Sequence, residues 1–155
     1  VLDAPALAIA GAANRQSDPV ASFGGGVYLL AWQDSRGREH PIRGMLIGAD
    51  GSALGDPFTI AAADEYMRPR IGFDGTQFWV VWSQTEDIAE RSLSADFDVF
   101  AARVSTTGAV LDSAPILIAD SDDEEIGARL SCSRSTWCCA SRDAGSESAG
   151  SGSLC

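Results

Sequence analysis

The 155-residue chain carries 22 acidic against 11 basic side chains, every base an arginine, for a formal net charge of −11. With no lysine and no basic cluster there is nothing for a phosphate backbone to sit on, so nucleic acid is disfavoured as a partner, while 45% apolar residues mark a folded chain. The longest apolar runs, around Val27 to Trp32 and Phe78 to Trp82, are strand-sized and far short of the roughly 20 residues that cross a bilayer, so no membrane span is expected.

Residues 1–10 show no targeting signal and read as the last strand of a preceding unit. Val1-Leu2-Asp3 and Ala8-Ile9-Ala10 match Val110-Leu111-Asp112 and Leu117-Ile118-Ala119, 109 positions later. A polar loop, GAANRQSD, follows. From Pro19 the apolar positions Val20, Phe23, Val27, Leu29, Leu30 and Trp32 fall in two runs split by Gly24-Gly25-Gly26, which is a hairpin signal with Pro19 at the strand's first residue. A third run covers Ile42 to Ile47, then comes a turn at Asp50-Gly51 and a fourth run at Pro57 to Ala61.

The second unit repeats the first. Pro69, Phe73, Gly75 and Trp82 fall 50 positions after Pro19, Phe23, Gly25 and Trp32. Val99 to Val104, a turn around Thr107-Gly108, and Pro115 to Ala119 supply its third and fourth strands. Arg129 to Asp143 is a weaker third copy, with Leu130, Cys132 and Trp137 standing 59 positions after Ile71, Phe73 and Phe78. The chain is thus expected to divide into a strand at 1–10, blades at 19–61 and 69–119, a first hairpin at 127–143, and a Ser/Gly-rich flexible tail at 144–155.

Four antiparallel strands in about 50 residues, repeated, point to an all-β chain: a partial β-propeller with two complete and two incomplete blades. A sandwich also predicts short strands and turns, but gives no reason for the same Pro, aromatic, Gly and Trp spacing to recur. Phe23, Trp32, Phe73 and Trp82 are expected to pack blades, and Gly25 and Gly75 to supply the positive φ of the hairpin turns. The tryptophans also allow sugar stacking.

The strings PRIGFDGTQFWVVWSQ, DVFAARVSTTGAVLD and ILIA resemble the secreted bacterial propeller repeats that run P-x-hydrophobic-x-F-D-G, W, R-V, G-x-x-L-D and I. The resemblance covers the chain to about Asp143 and departs in the third unit, where Ser133-Arg134 replaces Asp74-Gly75 and Ser141 replaces Trp82. It implies an exported or cell-surface protein and is nearly silent on activity.

Up-and-down strands put the first-to-second and third-to-fourth connections at one end, trimmed short by glycine turns. The other end receives Gln33 to Pro41, Ala62 to Arg68, Ser83 to Asp98 and Asp120 to Ile126, which hold most of the acids. Within it, Asp120, Asp122, Asp123 and Glu124 are calcium candidates, since carboxylates on a loop suit a hard cation, though the run lacks EF-hand spacing and also reads as a solvated acidic loop. No other cofactor is implied. The loop Ser83 to Asp98 reads equally as a binding loop or an insertion.

All four cysteines are late, at 132, 138, 139 and 155. Cys132 and either Cys138 or Cys139 are positioned for a disulfide on paired strands, or serve as small apolar residues. Enzyme signals are poor. His40 is the chain's single histidine, there is no G-x-S-x-G elbow, and the sialidase box S-x-D-x-G-x-x-W is absent around Asp74. These features favour a non-catalytic extracellular binding scaffold for a protein or glycan ligand, needing further blades or self-association to close. The alternative is a piece of a propeller-fold glycan hydrolase whose catalytic groups lie outside it.

Overall fold

The computed structural model describes residues 15–36, 40–62, 68–84, 98–119, 129–133 and 136–140. The expected strand in 1–10, the calcium candidates Asp120 to Glu124 and the tail all lie outside them. The described residues form strands and turns without a helix. A first sheet contains β1 (Gln16–Gly24), β2 (Val27–Asp34), β3 (Ile42–Gly48) and β4 (Phe58–Ala61), and a second contains β5 (Arg70–Phe73), β6 (Phe78–Gln84), β7 (Asp98–Val104) and β8 (Ile116–Ala119). Both are antiparallel with strands in simple chain order. A separate hairpin pairs β9 (Arg129–Ser133) with β10 (Thr136–Ala140).

The registers repeat as the sequence does. Phe23 stands opposite Tyr28, Phe73 opposite Phe78 and Cys132 opposite Trp137. The same hairpin register sets Cys138 opposite Ser131 and Cys139 opposite Leu130, so neither is the direct cross-strand partner of Cys132. Both sheets bulge at one place in their third strand, between Ile42 and Arg43 and between Val99 and Phe100.

Two expectations are corrected. The first strand begins at Gln16, and Pro19 lies inside it, beside a register shift between Ser17 and Val20 where Asp18 takes a φ of 52°. A proline has no N–H to give a ladder, and a bulge on an edge strand is where the ladder does not ask for one. The third-to-fourth connections are also longer than plain turns. After Gly51 the chain pairs back, Ala53 bridging to Ile47 and Leu54 N donating to Leu46 O at 2.9 Å, before it enters β4. The second sheet does the same with Val110 bridging to Val104 and Leu111 N donating to Arg103 O at 2.9 Å. The backbone edge near Leu46 and Arg103 is therefore taken by this hook, and β4 and β8 pair only with the far half of their neighbours.

Alternation along the strands gives each sheet two apolar faces, and the core forms where unlike faces meet. Leu29, Ala31, Ile42, Leu46 and Ile60 of the first sheet pack with Phe78, Val80, Trp82, Ala102 and Val104 of the second. By register, the counterparts of Phe78, Val80 and Trp82 in the first sheet are Tyr28, Leu30 and Trp32, on the opposite side from Leu29 and Ala31. Leu30, Trp32, Met45 and Ile47 accordingly form their own cluster on the first sheet's far face. Val81, Val99 and Ala101, with Trp79 and Ile116, do so on the far face of the second. Two like modules related by a twofold would bury equivalent faces; here they stack in one sense. At the joint β1 lies against β5, and β5 in turn against β9, so the first strands stand side by side in chain order.

The joint depends on small residues at the turn end. Gly24 has no side chain because the Phe73 ring occupies that space: a Cβ there would come within 2.0 Å of it. Gly25, at φ 58°, likewise faces Thr106 of the second sheet, and Gly26 follows at φ 84°, so the hairpin turns on two residues of positive φ. The second hairpin has Gly75 alone in that region, at φ 98°.

Candidate functional site

The densest polar constellation among the described residues lies on the far face of the second sheet, at the turn end. It grows from the FDG turn. Asp74 Oδ1 accepts from the amides of Thr76 at 2.7 Å and Gln77 at 2.8 Å, fixing the turn between β5 and β6. Its other oxygen accepts from Trp79 Nε1 at 2.8 Å. The Arg103 guanidinium sits 5.8 Å from the centroid of the Trp79 ring, within cation–π range. Asp112, on the hook after β7, then holds Arg103 by both side chain and backbone. Its Oδ1 accepts from Nη2 at 2.6 Å and its Oδ2 from the Arg103 backbone amide at 2.7 Å. Asp74, Trp79, Arg103 and Asp112 thus tie two connections together across β6 and β7.

The first sheet has the same backbone and none of this chemistry. At matching registers it carries Gly24, Leu29, Leu46 and Gly55 in place of Asp74, Trp79, Arg103 and Asp112. The difference follows from burial. Leu29 and Leu46 lie in the joint, where an unmatched charge would be desolvated, whereas the Arg103 side chain keeps 38% of its surface exposed. The sequence signals were present in R-V and G-x-x-L-D, but nothing there said that the arginine and the aspartate nine positions on meet.

Electrostatically the cluster is closed. Burial pushes the Asp74 carboxyl up, but the amides of Gln77 and Thr76 and the Trp79 indole outweigh it and hold it below its usual value. Asp112 is lowered by its hydrogen bonds from Arg103, against a smaller effect of burial. Both carboxylates are therefore ionised near neutral pH. In the pH range between the lowered folded values and the unfolded carboxyl value near ~4, the unfolded chain binds more protons, so stability rises with pH. The contribution is complete above that range and lost as pH falls through the folded values. Urea midpoints followed from pH 6 to pH 2.5 are expected to fall in acid, and Asp112→Asn to flatten part of that fall. An unchanged slope in the variant would remove Asp112 from the account.

Other polar groups gather at the opposite end of the first sheet. Asp34 is buried and ion-paired with Arg36, whose hydrogen bonds lower its pKa below the usual carboxylate range. Arg43 donates to Thr59 Oγ1 at 2.7 Å and to the Pro57 carbonyl at 2.8 Å. Trp32 stands opposite Arg43, and Trp82 in the matching register stands opposite Phe100, stacking on it at 6.3 Å. Trp82 Nε1 donates to Gln84 at 3.3 Å, while Trp32 Nε1 and Arg43 Nε are buried without an acceptor among the described residues. The two tryptophans thus share a register and a face but not their surroundings.

Of the acids expected at the long-loop end, Asp34 and Asp98 fall among the described residues, Asp98 at the start of β7 opposite Gln84. Among the described residues no three His, Cys, Asp or Glu side chains lie close enough to hold a metal ion. No helix there is long and apolar enough to cross a membrane. Compared with protein-family models, with curated proteins and with solved structures, the chain matches none of them.

Proposed function

We propose that the chain is a stretch of a β-propeller serving as a non-catalytic binding scaffold on an exported or cell-surface protein, with a protein or glycan as its ligand. The observation that carries this reading is the joint between the sheets. Two four-stranded antiparallel sheets in chain order stack unlike faces, with their first strands side by side, as blades lean on one another around an axis. Further like sheets, or self-association, would close the ring. The exported location is supported by the likeness of the FDG, R-V and L-D strings to secreted bacterial repeats.

The non-catalytic part is supported by where the motif residues go. Asp74, Arg103 and Asp112 are consumed in holding loops, and the two carboxyls are ionised in those bonds. Ligand contact then falls to the end from which the connections 35–41, 62–69 and 85–97 leave, because the other end is filled by turns and hooks. The test is a pair of assays on the intact protein. Against a panel of chromogenic aryl glycosides no release is expected, and on a glycan array retention is expected that weakens when Glu86, Asp87 and Glu90 are replaced by glutamine. Glycoside turnover abolished by any one of those substitutions would replace the scaffold reading with a hydrolase.

A further inference from the structure

The first sheet repeats, on its far face, the surface that the second sheet uses in the joint. Phe73 and Phe78 pack as a tilted pair with centroids 4.9 Å apart, and Phe23 and Tyr28 do so at 4.7 Å with nearly the same interplanar angle, 53° against 54°. Their fates differ. Phe78 is fully buried, and Phe73 is seated on Gly24. Phe23 is 53% and Tyr28 41% exposed. The first sheet thus exposes an aromatic pair in the geometry that the second sheet uses at the joint.

We propose that the Phe23–Tyr28 surface is the docking site for a further four-stranded sheet of this same repeat, one that carries glycine at the place of Gly24. The occupant is specified by the joint already present. A ring in the Phe73 position leaves no room for a Cβ on the sheet it meets, since that atom would stand 2.0 Å away. The second sheet of another copy therefore does not fit, because Asp74 occupies the equivalent position and carries a side chain bound to Trp79. The first sheet, with Gly24 and the apolar Leu29 and Leu46 in place of the polar latch, has the face that does.

The inference deepens the repeat-scaffold reading and rests on it for the existence of further like sheets. Because Pro19 and Pro69 are equivalent, residues 20–69 can be duplicated in tandem within the full chain without a new junction, adding 50 residues to 155. The leading copy carries Tyr28→Phe, so that Tyr28 reports from the trailing copy alone. Hydroxyl-radical footprinting is expected to show Tyr28 oxidised several-fold less than in the parent chain, and urea unfolding to remain one transition with a slope about a third larger, since the slope follows the surface exposed. Gly24→Asp in the leading copy alone is expected to restore the parental oxidation of Tyr28. Equal oxidation of Tyr28 in parent and duplicated chains, or protection that survives that Gly24→Asp change, overturns the proposal. Neither result would alter the glycoside or array assays.

Discussion

Replacing Trp82 by alanine is expected to lower the unfolding free energy by about 3–5 kcal/mol, the range for truncating a large buried aromatic. Trp82 is fully buried and lies at the centre of the joint, with Phe100 stacked on it and its indole N–H bound to Gln84. Truncation removes the wall that both sheets share and leaves Gln84 without its donor. A domain of ordinary stability has only about 5–15 kcal/mol in hand, so the change approaches the whole margin. Urea unfolding by tryptophan fluorescence and far-ultraviolet circular dichroism measures it. A loss under about 1 kcal/mol would mean that the sheets do not depend on each other.

The second large effect is expected from Gly24→Ala. No bond is lost and only one methyl is gained, yet that methyl falls 2.0 Å from Cγ of the Phe73 ring, with both ortho carbons within 2.4 Å. The ring is held by Phe78 behind it, so relief requires the joint to open. Overpacking of this kind costs typically about 1–3 kcal/mol. The double change Gly24→Ala with Phe73→Ala is the discriminating measurement. Its cost is expected to fall below the sum of the two single changes, because the added methyl then has somewhere to go. Strict additivity would show that the two residues do not meet.

What was legible beforehand and what was not divides along a physical line. Hairpins are local: alternation, glycines and Pro69 announce β5 and β6, and the matching string announces β1 and β2, with equivalent residues opposite one another as the repeat requires. The start of β1 was missed because Asp18 in a left-handed conformation next to a proline reads as a loop, though the chain on either side of it still pairs. The hook after each third strand was missed because a short bridge such as Ile47 to Ala53 leaves no periodic trace. The polar latch was missed for a different reason. A tryptophan in a strand pattern announces only its ring, whereas Asp74 of the β5–β6 turn binds the Trp79 N–H, Arg103 of β7 covers its face, and Asp112 of the hook holds Arg103. Recurrence of a motif tells which residues matter, but only the three-dimensional arrangement shows that Asp74 and Asp112 act as ties between loops.

The stacking of unlike faces gives the array a direction. The joint sets the Leu29 and Leu46 face of the first sheet against the Phe78 and Trp82 face of the second, so it is heterologous, and contacts of this kind run head to tail. A row built through such joints has two different ends, which meet only where the row closes on itself. The polar, tied-down surface around Arg103 stands on the face of the second sheet that this joint does not use.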